Sequence, residues 1–460
     1  MAAYYRYQIS NSLFVLLLSL CTLTGWPLAA GTHATTRRLP PMLSAQHKSS
    51  IIPHPSRLVL PQHVSSSPSQ ALNPHMPMAS SGNCAPGEQA SLAATAVVSS
   101  TDVWAVGDCT GNNGNKQTLT EHWNGKHWQV VVSPDVGSSN NYLYGVAAVP
   151  ATAGQVSSSD VWAVGASVAT NGSPQTLTER WDGHRWSIVT SPNPGSSDNE
   201  LNSVVIVSSS DVWAVGTYVG NGTYQTLTEH WDGQRWSVVK SPNIGSAANE
   251  LYGVAAAPVP AGTLPGLQGK VSSTDVWAVG RYFNVAYRTL TEHWNGSRWS
   301  VVKSPNPGSS DNYMDDVAVV STSDVWAVGH YFARNNSYQT LTEHWDGSRW
   351  SVVKSPNAGS SDNFLSGAAE VSASDVWIVG WYYNSHNAVF QTLTMHWDGR
   401  RWSVIKSPNV GSSANYLDGV MVVSASDVWA VGYLYNANGS SIDTLTEHWN
   451  GTQWSVMPSP

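Results

Sequence analysis

Six glutamate and six histidine side chains recur at one place in this chain, and they are the first residues whose types could do chemistry. The pairs Glu121-His122, Glu229-His230, Glu292-His293, Glu343-His344 and Glu447-His448 stand in the same local context, Thr-Leu-Thr before and Trp after. Imidazole beside carboxylate could serve general acid–base catalysis or bind a metal. The pattern is broken twice, by Arg180 at the His position and by Met395 at the Glu position. A catalytic centre needs unlike groups converging on one point, whereas residues in equivalent repeats point in as many directions as there are repeats. Inter-repeat or strand-to-strand hydrogen bonding is therefore the expectation for these pairs. Asp102 and Asp211 are expected to cap turns with their side chains. No metal, cofactor or catalytic set is assigned.

A second chemistry is carried by aromatic residues near polar loops. Tyr218, Tyr282 with Phe283, Tyr331 with Phe332, Trp381 with Tyr382 and Tyr383, and Tyr433 with Tyr435 all follow a strand-ending glycine. The loops Ser191 to Asn199, Ser304 to Asn312 and Ser355 to Asn363 supply Ser, Asn and Asp. Flat apolar faces beside planar polar groups are what carbohydrate recognition requires. Tyr218, Tyr282, Tyr331 and Tyr382, each two residues after the glycine, are expected mainly to fill gaps between repeats. Trp381, outside the repeated tryptophan set, is the expected exposed ligand contact; Tyr383 and Tyr433 complete the candidate ligand-binding residues.

These residues are positioned by a repeat. Asp-Val-Trp-Ala/Ile begins at Asp102, Asp160, Asp211, Asp275, Asp324, Asp375 and Asp427, at spacings of 58, 51, 64, 49, 51 and 52 residues. The two long spacings hold insertions, around Pro150 to Gln155 and Pro258 to Lys270. A period near 50 suits a propeller blade and is too long for a solenoid coil.

Each unit reads as four short strands. In the third, Leu201 to Val207 is small and β-branched, and Val212 to Gly216 is a continuous apolar run suited to burial on both faces. Thr226 to Trp231 alternates, Asp232-Gly233 is a hairpin turn, and Trp236 to Val239 closes the unit before Ser241-Pro242-Asn243 breaks it. One such sheet cannot bury both faces alone. Seven around an axis can, so the expected fold is all-β, a seven-bladed β-propeller of four-stranded antiparallel blades. Of the 23 tryptophans, 21 fall at three fixed positions per repeat, so they are expected to form its core.

Charge and cysteines bound the rest. Arg6 precedes the apolar run Leu13 to Leu20 and the small residues near Ala30, the pattern of a secretory signal peptide over residues 1–30. A retained N-terminal anchor is the rival reading. Residues 31–82 are rich in Pro, Ser and His and read as a flexible spacer; residues 83–460 form the propeller. Residues 83–460 carry 17 Lys/Arg against 30 acids, a net −13, which argues against nucleic acid and anionic membranes as partners. Cys84 and Cys109 are the cysteines left after cleavage, and in an oxidising compartment a disulfide between them is expected.

The stretch Val212 to Val239 resembles the kelch repeat of galactose-oxidase-like propellers: an apolar strand ending in Gly, a loop with Tyr, then two Trp about five residues apart. The resemblance extends over all seven repeats but lacks the usual glycine doublet. The repeat is also similar to that of bacterial seven-bladed lectins, with an Asp-Val-aromatic strand followed by Trp-Asp-Gly and Trp. The copper radical site of galactose oxidase needs a Cys-linked Tyr that neither Cys84 nor Cys109 supplies. The expected function is a secreted, monomeric, non-catalytic recognition module for glycans or extracellular proteins. An enzyme of sialidase, lyase or oxidase type in the central channel, or a purely structural displayed module, are the alternatives.

Overall fold

The computed structural model describes residues 89–149, 160–258, 271–411, 413–436, 439 and 441–460, with no side-chain description for 258 and 271–274. The leader, the spacer and Cys84 lie outside the described residues. The chain folds into seven four-stranded antiparallel sheets, each built from one repeat with its strands in sequence order. This is the expected seven-bladed propeller, and among the described residues every blade, the first and last included, draws its four strands from one repeat.

Blade 3 shows why the sequence folds this way. Its first strand, Asn199–Ser208, pairs with the second, Asp211–Gly220, which pairs with the third, Thr223–Trp231, and the fourth, Trp236–Val238. Val212 to Gly216 is buried throughout, as a central strand between two neighbouring blades must be. Gly216 is required by closeness: a Cβ there would stand 2.0 Å from the Glu200 carbonyl oxygen of the first strand. The hairpin between third and fourth strands is closed by Asp232, whose Oδ1 accepts the backbone N–H of Gln234 and Arg235, each at 2.9 Å, while Gly233 takes φ 93°.

The expected tryptophan core is observed, and it is an inter-blade core. Each second-strand Trp packs against the third- and fourth-strand Trp of the following blade. Trp213 lies 4.7 Å from Trp294 and 5.4 Å from Trp299, ring centre to ring centre, and Trp429 of blade 7 lies 5.0 Å from Trp123 and 5.4 Å from Trp128 of blade 1. The last blade therefore meets the first through the same contact as every other pair.

The Glu-His pairs divide between two jobs. The histidines bond strand to strand, as expected: His230 Nε2 is 2.9 Å from Asp211 Oδ1, and its ring lies 4.5 Å from that of Trp213. In blade 2 the substitution is conservative in role, with Arg180 Nε 2.9 Å from Asp160. Asp102 and Asp211 consequently hold a histidine and are not turn caps, because the register sets the third-strand His beside them. The glutamates do not hydrogen-bond as expected. They alternate to the opposite face, are fully buried, and both carboxylate oxygens of Glu121, Glu179, Glu229, Glu292, Glu343 and Glu447 find no hydrogen-bond partner among the described residues.

Candidate functional site

The seven blades share a core but differ at one end, where the first strand enters and the hairpin joining second and third strands turns. At the last or next-to-last paired position of that hairpin, two residues face each other across the two strands. In blades 1 and 2 the pairs are Thr110 with Lys116 and Val168 with Pro174; in blade 3, Val219 faces Tyr224. In blades 4, 5 and 6 both members are aromatic: Phe283 with Tyr287, Phe332 with Tyr338, and Tyr383 with Phe390. The rings meet edge to face at 5.4, 5.2 and 5.3 Å, and all six are half-buried. Blade 7 retains one aromatic, Tyr435 opposite Ile442. Cross-strand aromatic pairs stiffen a hairpin and hold ring faces in place.

Rings from the first strands join these pairs across the blade boundaries. Tyr313 of blade 5 lies 5.5 Å from Tyr287 and 6.3 Å from Tyr338. Phe364 of blade 6 lies 5.3 Å from Tyr338 and 5.6 Å from Trp381, and Tyr416 of blade 7 lies 5.5 Å from Trp381 and 5.7 Å from Phe390. The result is an unbroken aromatic arc from blade 4 to blade 7.

Polar groups that also break the repeat lie beneath it. Arg281 places its Nε and Nη2 at 3.0 and 2.6 Å from Glu250 Oε2, and Tyr252 donates its hydroxyl to the same oxygen. The guanidinium carbon sits 4.4 Å from the centre of the Tyr287 ring and 5.2 Å from that of Tyr313. Burial holds the Tyr252 phenol well above its usual range; Arg281 opposes that shift and Glu250 reinforces it. One blade on, His330 Nδ1 is 2.9 Å from Asp315 Oδ2, and the His330 ring stacks on Tyr313 at 4.7 Å.

The residues expected from the sequence fall into two sets. Tyr218, Tyr282, Tyr331 and Tyr382 pack onto the cores formed with the preceding blade, so their gap-filling role is observed. Trp381 corrects an expectation: it is 2% exposed and lies between Phe364 and Tyr416, because the residue directly after the strand glycine points into the gap toward the next blade. Tyr383 belongs to a hairpin pair, and Tyr433 is half-buried, stacked on Tyr416 at 4.8 Å. Cys109 is fully buried at the end of its strand.

The polar inter-blade loops are largely spent on holding the blades. Asn193 Oδ1 accepts the Thr176 N–H at 2.8 Å, Asn199 Oδ1 accepts the Gly195 N–H at 2.7 Å, and Asp311 and Asp362 accept the N–H of Tyr287 and Tyr338 at 2.9 Å each. Sequence reasoning missed Tyr287, Tyr338 and Phe390 as partners of the loop aromatics, and the Arg281–Glu250 and His330–Asp315 pairs. Counting hairpin length from the glycine outward would have found the first group. Among the described residues no cluster of three or more His, Cys, Asp or Glu is placed to hold a metal ion, and no helix is long and apolar enough to cross a membrane.

No family model matches the chain, and no curated protein matches it. Solved structures resemble it at low identity. A polysaccharide lyase, an ulvan lyase, is 9% identical over 78% of this chain and 92% of its own, with a TM-score of 0.47. YCF48 bound to a D1 peptide is 12% identical over 75% and 90%, with a TM-score of 0.44. The Aleuria aurantia lectin bound to α-methyl-L-fucoside is 13% identical over 82% and 97%, with a TM-score of 0.38.

Proposed function

We propose that this protein is a non-catalytic recognition propeller that binds carbohydrate at the aromatic hairpin pairs of blades 4 to 6. The observation that carries the reading is the restriction of half-exposed cross-strand aromatic pairs to three consecutive blades of an otherwise repeated ring. Ring faces held by a rigid scaffold suit the C–H faces of sugars, and function concentrates on such loops. The groups beneath the arc are paired to one another, Arg281 with Glu250 and His330 with Asp315, which suits a supporting floor better than a reacting centre. In this reading the chain acts outside the cytoplasm as a monomer after loss of its leader, with Cys84 bridged to Cys109. Its kelch-like repeat is scaffold.

A glycan array probed with the secreted chain tests this. Saturable binding is expected, weakened about tenfold or more by Tyr287→Ala, Tyr338→Ala or Phe390→Ala, a loss of ~1.4 kcal/mol or more. A blank array rejects the carbohydrate reading in favour of an extracellular protein partner.

An enzymatic reading has one observation in its favour. Asp316 and Asp418, on the first strands of blades 5 and 7, are pushed by burial up to about 7, a value suited to proton transfer near neutral pH. Asp316, however, already accepts the Ala368 N–H of the next blade at 2.9 Å. Release of reducing ends from any polysaccharide, abolished by Asp418→Asn, would establish catalysis.

A further inference from the structure

The fourth strand of every blade is the outer edge of its sheet, bonded to the third strand on one side only, while the first strands of neighbouring blades meet around the axis. Exposure alternates along this edge. In blade 3 Trp236 is buried, Ser237 and Val239 are half-buried, and Val238 and Lys240 are exposed. Blades 4, 5 and 6 repeat the run and end it on Lys303, Lys354 and Lys406, all exposed. Blades 1, 2 and 7 place Val132, Thr190 and Pro458 there instead. Lysine on an edge strand discourages pairing with a second sheet. That role applies equally to all seven edges, whereas the lysines stand on four consecutive ones.

The hairpins leading into these strands add to the charge. Arg235, Arg298, Arg349, Arg400 and Arg401 are exposed, as are Asp232, Asp346 and Asp398. The arginine Nε atoms of Arg235, Arg349 and Arg401 lie 3.9, 3.7 and 3.8 Å from those carboxylates, and such contacts in water tie up little of either charge. Nine cations thus stand with three carboxylates on the third-to-fourth hairpins and fourth strands of blades 3 to 6. The same elements of blades 1, 2 and 7 carry Lys126 and Arg185 with Asp182. Among the described residues none of the four lysines has an ion-pair partner. Much of the negative charge of these blades is withdrawn from the rim: Glu229, Glu292 and Glu343 are fully buried, and Asp211, Asp275, Asp324 and Asp375 are each bonded to a histidine.

Shape selects among anionic partners. The outside of a ring is convex, so a flat bilayer touches it along a blade or two. A DNA duplex, with a persistence length of about 50 nm, is too stiff to follow it. Single-stranded nucleic acid gains from rings on which bases stack, and the position alternating with each lysine holds valine: Val238, Val301, Val352 and Val404. A flexible acidic polysaccharide meets one lysine after another.

We infer a second binding surface, at the opposite end of the third strands from the aromatic hairpins. The rim of blades 3 to 6 takes an acidic polysaccharide, whose sulfates or carboxylates meet Lys240, Lys303, Lys354 and Lys406 in turn with the hairpin arginines alongside. This surface is independent of the carbohydrate reading of the hairpins, and either can fail without the other.

Titration of the full chain with dextran sulfate and with polygalacturonate tests this and tells sulfate from carboxylate recognition. Saturable binding of at least one polymer is expected at about 0.1 M salt, lost as salt approaches about 1 M and the charges are screened. Lys303→Gln with Lys354→Gln should weaken it about tenfold or more. Lys126→Gln with Arg185→Gln removes the same charge from blades 1 and 2 and should change it less than about twofold. Tyr287→Ala should leave it unchanged. Equal losses in the two double variants reduce the effect to diffuse charge and overturn the site, as does silence of both polymers. Tighter binding to vesicles of phosphatidylglycerol and phosphatidylcholine, or to duplex DNA, with the same dependence on Lys303 and Lys354, overturns the polysaccharide in favour of that partner.

Discussion

A buried carboxyl group with no hydrogen-bond partner is costly when ionised, and the ring contains six of them at one repeated position. Burial pushes Glu121 and Glu229 up to about 8 and Glu343 to about 9, from an ordinary value of 4.5. The native state thus retains protons that the unfolded chain gives up, so stability is full below about pH 4.5 and is lost progressively as the pH rises toward 8. Thermal melts of the chain should show Tm falling across this range; a Tm rising from pH 5 to 8 would refute the assignment. The chain supplies its own control, for blade 6 has Met395, fully buried, at the glutamate position. Glu229→Met should stabilise by ~1–3 kcal/mol at pH 8 and much less at pH 4.5. Urea titrations at the two pH values separate the effects.

Among the elements, the hairpins between second and third strands carry the individuality of the blades. Strand alternation sorts their aromatics: residues two after the glycine, such as Tyr282, turn toward the preceding blade, while Arg281 and Phe283 share the other face. Trp381 obeys the same rule and is buried between blades 6 and 7. Trp381→Ala should therefore lower stability by ~3–5 kcal/mol, as for other large core truncations. Phe390→Ala, at a half-exposed hairpin position, should cost much less stability and more binding. Reversal of that order, measured by melting and by glycan titration, would place the contact on Trp381 after all.

For the whole molecule, closure is the central energetic fact. Every blade presents a second-strand Trp to the next, and Trp429 meets Trp123 and Trp128 as Trp277 meets Trp345 and Trp350. If the last interface is as well formed as the others, Trp429→Ala and Trp277→Ala should destabilise equally, within ~0.5 kcal/mol. A clearly smaller loss at Trp429 would mean that the ring opens there.

How much of this was legible beforehand differs by kind of residue. The repeat period, the buried Val-Trp-Ala-Val run and the Asp232-Gly233 turn are local patterns, and local patterns are enough to specify strands, blades and their number. Even the correction at Trp381 follows from period two, once the strand is known to continue past Gly380. The pairing of Phe283 with Tyr287 is local and needs only the hairpin length, whereas that of Arg281 with Glu250 and Tyr313 depends on strand register and on which blade lies alongside, and neither is written in any one segment. The sequence by itself thus determined the scaffold, because each repeat must bury two apolar faces and seven copies do so together. Only the tertiary structure decided that the unlike residues gather on blades 4 to 7, because side chains far apart in the chain become neighbours only when adjacent blades pack.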